Sequence, residues 1–330
     1  MLTKTRHLLN QTNRDSNKIR ILTWPTHEAY QTLLSNIPNV EWHIFHNGAK
    51  TWDYHTKPLP KNTYLYFTDP RQIRGELCFD MILSQERATQ LPMSINLGQQ
   101  LGIPVIHIDH TEPYPNLSKK NLDNLKSLKA DYHVSISEHN KNTWNSSALV
   151  IPHGIDTNIF KPINGVKNYD GLNISNHFAG RDVFLGHTIF QEVSKKHKIN
   201  VVGFNPQTPE YHRPISNSED LNKIMNQHLY YINTTQLSPL PMSLLEAASA
   251  GMSIVTTNKQ EIDKYFKDGE NCLIANTSQD FIDKIELIKK DKILATRIGL
   301  NARLTILSEF SLQKFIERWS SLINNIGCFK

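Results

Sequence analysis

The sequence predicts an α/β protein of two Rossmann-like domains, and three observations lead there. Short β-type runs recur with helical segments between them, the runs fall into two successive sets, and 330 residues exceed the usual span of one domain. The first set is Ile19 to Trp24, Trp42 to Phe45, Thr63 to Phe67, Val105 to Ile108, Tyr132 to Ile136 and Leu149 to Ile151. The second is Leu172 to Ile174, Ile199 to Val202, Leu229 to Ile232, Ser253 to Thr257 and Cys272 to Ile274. Strands that alternate with helices argue for parallel sheets covered on both faces.

Gly154, Pro162 and Gly165 interrupt regular structure among mostly polar residues, so the linker is expected between Asp156 and Asp170. This gives a first domain over 1–158, a second over 159–310 and a terminal helix over 311–330. In that last stretch, FSLQKFIERWSSLINNI, helical spacing puts Phe310, Leu312, Phe315, Ile316, Trp319, Leu322 and Ile323 on one face, which must pack on something.

Composition narrows the class. Apolar content is 38%, mean hydropathy is −0.45, and no apolar run approaches the roughly 20 residues that span a bilayer. The first eighteen residues lack the apolar core and cleavage site of a secretory signal, so a cytoplasmic chain is expected. Cys78, Cys272 and Cys328 are too far apart for a zinc cluster and odd in number for a disulfide framework. A net charge of +5 suits a phosphorylated ligand, an anionic membrane surface or nucleic acid. Nucleic acid ranks last, because no Lys/Arg stripe is interleaved with aromatics. A nicotinamide-cofactor enzyme needs glycines in the turn after its first strand; here that turn reads TWPTHEAY, with none.

The stretch that carries chemistry is LSPLPMSLLEAASAGMSIVTTN, residues 237–258, read as loop, helix and buried strand. Ser238 is expected to cap the helix with Pro239 at its first position, and Gly251 stands where a helix end needs a left-handed residue. The prolines at 239 and 241 have no N–H, so the free donors near the helix start are those of Leu240, Met242 and Ser243. Such a terminus suits a phosphate. Glu246 lies one turn on, and its two acceptor oxygens match a vicinal diol such as ribose. The same spacing also fits a carboxylate that only faces water or favours the helix dipole.

SPLPMSLLEAASAGMSIVTTN resembles the signature of retaining glycosyltransferases of family 4 and their relatives with the GT-B fold, two Rossmann-like domains facing a cleft. IPHGIDTNIFKP (151–162) is similar to that family's domain-joining segment, VSISEHNKNTW (134–144) to the helix before it, and LGIPVIHIDHTEP (101–113) to its acceptor-side strand and loop. The terminal helix is similar to the one that crosses back to the first domain in that fold. The likeness implies that Glu246, on the second signature glutamate, binds the donor ribose. Ser238 takes the slot of the first signature glutamate, and a serine cannot offer the same charged bidentate contact. In NISNHFAGRDVFLG, Asn176 falls on the slot of the family's arginine and Arg181 on that of its lysine, leaving one cation for the donor diphosphate. An Arg-Asp pair at a helix start is the plainer alternative for Arg181. Gln260, Glu261 and Lys264 occupy a diverged loop ahead of Asp268 and Gly269.

His110 falls where relatives place a histidine near the reacting sugar, and a loop histidine bonded to backbone is its alternative reading. His27 and Glu28, in the loop after the first strand, are further acceptor-side candidates. His153 with Gly154 reads as a tight turn, and Ser135 or Ser137 with Glu138 as helix capping.

The resemblance therefore implies a glycosyltransferase with a nucleotide-sugar as substrate, no cofactor and no metal, acting with retention on a saccharide, lipid-linked or other hydroxyl acceptor. Peripheral association with the inner membrane face is compatible with the basic charge. Rival readings are a catalytically silent nucleotide- or sugar-binding protein, a sugar-nucleotide epimerase, a hydrolase and a DNA-base glycosyltransferase.

Overall fold

A computed structural model describes residues 18–46, 52–54, 57–67, 78–165, 167–215, 217–238 and 240–327. Pro239, Cys328 and all but the last of the first eighteen residues lie outside the described residues. The chain divides into two units, Met1–Pro152 with Ile316–Lys330, and His153–Phe315.

The first unit holds β1 (Ile19–Thr23), α1 (Glu28–Leu34), β2 (Val40–Phe45), β3 (Thr63–Tyr66), β4 (Met81–Ser84), α2 (Gln90–Leu101), β5 (Val105–Asp109), α3 (Lys119–Ser127), β6 (Tyr132–Ser135), α4 (Glu138–Thr143) and β7 (Leu149–Val150). The strands form one parallel sheet in the order β3-β2-β1-β4-β5-β6-β7. β4 is additional to the expected strands, and it is central. Its MILS segment is buried at every position, so it shows no alternation to mark it as a strand.

The second unit holds β8 (Tyr169–Ile174), a 3₁₀ turn (Ala179–Arg181), α5 (Asp182–Leu185), α6 (His187–Ser194), β9 (Ile199–Val202), α7 (Ser218–Asn226), β10 (His228–Asn233), α8 (Met242–Ser249), β11 (Ser253–Thr256), α9 (Ile262–Tyr265), β12 (Leu273–Ile274), α10 (Ser278–Lys290) and α11 (Lys292–Glu309). Its sheet is parallel in the order β12-β11-β10-β8-β9. Leu172, Tyr231, Leu244, Leu245, Ile254 and Ile306 form its core under α8.

The change of unit comes at Pro152–His153, upstream of the 158/159 boundary expected. Residues 155–163 are part of the second unit because Ile155 and Phe160 are buried in its core, and the amides of Lys161 and Ile163 donate to Asn222 and Asn226 of α7. The chain returns at Ile316, within α12 (Leu312–Gly327). That helix buries Trp319, Ile323 and Ile326, and the Trp319 indole N–H donates to the Tyr30 hydroxyl of α1 at 3.1 Å.

Candidate functional site

Open parallel sheets bind ligands beyond the carboxyl ends of the strands, where the strand order reverses. In the second unit that point lies between β8 and β10. Beside it, a buried polar ladder ties the ends of β10 and β11. Asn233 Nδ2 donates to Thr256 Oγ1 at 2.9 Å, the Thr235 hydroxyl to Asn233 Oδ1 at 2.7 Å, and the Thr257 hydroxyl to the Thr235 carbonyl at 2.6 Å.

Arg181 stands on the turn that follows β8. Its side chain is exposed, 5.9 Å over the Phe184 ring, and no ion pair of Arg181 is found among the described residues. The helix-start pair with Asp182 does not form: that carboxylate accepts instead from the Thr188 hydroxyl at 2.6 Å and amide at 2.7 Å. The Thr188 hydroxyl is the main cause holding the Asp182 carboxyl below its usual value. α5 is fastened to the loop that leads into α8. The Phe184 carbonyl accepts from the Gln236 and Leu237 amides at 2.7 and 3.1 Å, and the Thr234 hydroxyl donates to the Leu185 carbonyl. Gly186, at φ +66°, makes this approach available, because a Cβ there would lie 2.1 Å from the Thr234 carbonyl oxygen.

α8 begins at Met242, with Pro241 as its cap residue. Ser238 is therefore not the N-cap. A residue before proline is pushed out of the helical region, and Ser238 and Leu240 both precede one, so no helix starts before Pro241. Ser238 is half-buried in the approach loop. The Leu240 side chain is buried in the core rather than displayed. The first bonds onto the helix cap run from the Leu244 and Leu245 amides to the Pro241 carbonyl, which leaves the Met242 and Ser243 amides in the unpaired first turn. Ser243 also accepts from the Tyr231 hydroxyl at 2.9 Å, tying the helix start to β10. Burial pushes the Tyr231 phenol well above its usual value, and the nearby Glu246 charge adds to the rise.

Glu246 is 8% exposed, on a helix otherwise packed in the core. Gly251, at φ +74°, closes the helix, and its carbonyl is so near Gly299 of α11 that a Cβ there would lie 2.3 Å away. Asn176 ties the loop after β8 to the loop after β9: its Oδ1 accepts from the Phe204 amide at 2.7 Å. Beyond β11, Gln260 Nε2 donates to the Gln236 carbonyl at 3.3 Å, and Glu261 pairs with Lys264 at 3.0 Å.

In the first unit the order reverses between β1 and β4. His27 and His110 meet there with ring centroids 4.3 Å apart, and Tyr30 meets His110 at 4.6 Å. His110 Nε2 lies 3.2 Å from Gln85 Oε1, and Gln85 Nε2 donates to Gln31 at 2.9 Å. Glu28 opens α1 and accepts from the Asp53 amide at 3.2 Å.

Sequence reading missed what holds His110. Asp109, before it, takes a bidentate pair from Arg87, at 2.8 Å from Nε and 2.5 Å from Nη2, and lies 3.0 Å from His107 Nε2. Asn140 Nδ2 donates to the Asp109 carbonyl at 2.9 Å, and the Trp144 indole to the Thr111 carbonyl at 2.8 Å. The peptide before His110 and the peptide after Thr111 are thereby fixed. The Arg87 guanidinium lies 4.4 Å over the Trp144 ring. Burial alone would raise the Asp109 carboxyl, but the hydrogen bonds and charges of His107 and Arg87 outweigh it and hold the group below its usual range. The available signal was VIHID itself, where polar residues recur at alternate positions of an otherwise apolar buried strand.

No group of three or more His, Cys, Asp or Glu suited to a metal ion occurs among the described residues. Nor is any helix among them long and apolar enough to cross a membrane.

Residues 181–321 match the family described as Glycosyl transferase-like. No curated protein matches the chain. Solved structures share its fold across nearly the whole chain. A sucrose-phosphate synthase from Thermosynechococcus elongatus is 12% identical with a TM-score of 0.77, over 95% of this chain and 100% of that one. A glycosyltransferase from Rickettsia africae is 15% identical with a TM-score of 0.70, over 94% and 99%. HepE from Anabaena, solved with UDP and glucose, is 14% identical with a TM-score of 0.72, over 93% and 99%. The fold is thus the GT-B fold expected from the sequence.

Proposed function

We propose that this chain, a glycosyltransferase of the GT-B fold whose second unit carries the Glycosyl transferase-like segment, moves a sugar from a nucleoside diphosphate to a hydroxyl of a saccharide or lipid-linked acceptor. The observation that carries the reading is the fastening of α5 to the loop before α8, which builds the exposed Arg181 and the unpaired Met242 and Ser243 amides into one framework at the carboxyl ends of β8 and β10. That HepE was solved with UDP-glucose supports a nucleotide-sugar donor.

In the proposed reaction Glu246 accepts hydrogen bonds from the ribose hydroxyls, and Arg181 with the α8 amides faces the diphosphate. Ser238 and Asn176, in the slots of the two missing charged residues, contact the donor through neutral hydrogen bonds. The bond between the anomeric carbon and the diphosphate oxygen breaks, and a bond from that carbon to the acceptor oxygen forms. The acceptor's proton passes to the departing diphosphate, which gives retention without an enzymic nucleophile. Fixed donors stabilise charge as it grows on the leaving oxygens, so the proposal includes no divalent cation and no cofactor. His110, His27 and Glu28 are assigned to the acceptor, with His110 bonding to a sugar hydroxyl. Peripheral association with an anionic membrane, which a lipid-linked acceptor calls for, belongs to the same proposal.

Arg181→Ala tests it. Removing one charge-assisted hydrogen bond of about 1.5–3 kcal/mol predicts a fall in kcat/KM of roughly 10- to 100-fold, with thermal stability unchanged because the side chain is exposed. Turnover at the wild-type rate would remove Arg181 from the site.

A further inference from the structure

α11 is apolar on two opposite faces. Ala295, Ile298, Gly299, Ala302 and Ile306 are buried against the second unit. On the other side Ile293 is 85% exposed, Leu300 55%, Leu304 62% and Leu307 41%. With Arg297 these form one stripe at alternating spacings of four and three residues, the seam of a helix that faces another helix. A helix apolar all round is expected to be covered on both sides.

The stripe also has shape. A hollow of about 530 Å³ opens on this face, lined by Lys292, Ile293, Thr296, Arg297, Leu300 and Asn301. Four of these, Ile293, Thr296, Arg297 and Leu300, stand at i, i+3, i+4 and i+7, the diamond that receives one side chain of a packed helix. The matching projection, Leu304, is on the same helix. Leu300 lies midway between the hollow, centred at Thr296 and Arg297, and Leu304. Two antiparallel copies related by a two-fold axis at Leu300 therefore put each Leu304 level with the other copy's hollow.

The charges along one flank fit the same axis. The turn at Gly269 and Glu270 lies against α11, because Asn301 Nδ2 donates to the Glu270 carbonyl at 2.9 Å and Arg297 reaches the Gly269 carbonyl at 3.4 Å. One flank thus carries the exposed cation Arg297 beside the exposed anion Glu270. A two-fold axis at Leu300 turns that flank onto itself and brings each Arg297 to the Asn301 and Glu270 side of the other copy.

We propose that α11 is the interface of a symmetric antiparallel homodimer, with Leu304 packed into the Ile293–Leu300 hollow and Arg297 facing Glu270 of the second copy. An isologous contact of this kind closes on itself and does not propagate.

Light scattering on the eluting full-length chain should give twice the chain mass, and Leu300→Glu should halve it. R297E or E270R alone should weaken the dimer roughly tenfold through like-charge contact, and the two combined should restore it. Cysteine placement reads the geometry. L300C should cross-link two chains on oxidation because both copies sit on the axis. L307C should not, since its copies lie about 20 Å apart along the helices, beyond disulfide reach. The described native cysteines, Cys78 and Cys272, are buried; each cross-linking variant is compared with the unsubstituted chain, which controls for Cys328. A chain that stays monomeric at 100 µM overturns the proposal. So does cross-linking of L307C as efficient as that of L300C, or a monomer that sediments with phosphatidylglycerol vesicles through this face.

Discussion

Glu246→Ala is expected to lower affinity for the donor's nucleoside diphosphate by roughly 100-fold or more, with kcat/KM falling in parallel. The carboxylate is nearly buried on the α8 helix, and each hydrogen bond from a ribose hydroxyl to a charged acceptor contributes about 1.5–3 kcal/mol. Two such bonds outweigh the single hydrogen bond that Arg181→Ala removes. Glu246→Gln keeps the shape and one acceptor oxygen, so its loss should fall between wild type and alanine. A 2′,3′-dideoxynucleotide, which lacks the diol, should bind wild type and Glu246→Ala alike. Calorimetry on the four combinations of protein and nucleotide checks this. If the dideoxynucleotide still loses affinity on Glu246→Ala, the carboxylate acts elsewhere than on the ribose.

Arg87→Met is expected to destabilise the first unit by about 3–5 kcal/mol, because it strands the buried Asp109 carboxylate without its bidentate partner. Asp109→Asn added to Arg87→Met should recover part of the loss, since the remaining group is then neutral. The pH dependence has a definite sign. Asp109 titrates in the folded chain below its usual value, so its contribution is fully present above the ordinary aspartate range and is lost as pH falls through the lower, folded value. Arg87→Met should flatten this acid limb of stability. The same substitution frees the loop carrying His110, so kcat should fall while nucleotide affinity, which the proposal assigns to the second unit, stays unchanged. Thermal melts from pH 3 to 7, with calorimetric titration of the nucleotide, separate the two effects; an Arg87→Met chain as stable as wild type at pH 7 would contradict the account of the ion pair.

Much of this was legible in the sequence, for physical reasons that differ by element. Strands such as Trp42–Phe45 and Ile199–Val202 stand out because β-branched or aromatic residues recur in them. β4 escaped because a strand buried on both faces carries no alternation. The end of α8 was readable from Gly251, the residue type that adopts φ +74° at least cost. Its start was misplaced because Ser238 is a good cap residue in isolation, while the prolines at 239 and 241 exclude the helix until Met242.

The histidine pair at 27 and 110 could be proposed from the loop each occupies, but their contact depends on β4 lying between β1 and β5, which local pattern does not encode. Arg87 was invisible because it stands in the turn after β4 and its partner lies twenty-two residues away, at the end of β5. The outer stripe of α11 was present in the sequence as Ile293, Leu300, Leu304 and Leu307, yet only the burial of the opposite face reveals it as surplus.

The central claim is that the second unit holds the nucleotide of a sugar donor, and calorimetric titration of the full chain with UDP, GDP and ADP tests it most directly. The account predicts that one of the three binds at micromolar concentration with one site per chain, in buffer containing a chelator as well as in buffer containing magnesium. If none of the three binds under either condition, the donor-site assignment, and with it the proposed transfer, is wrong.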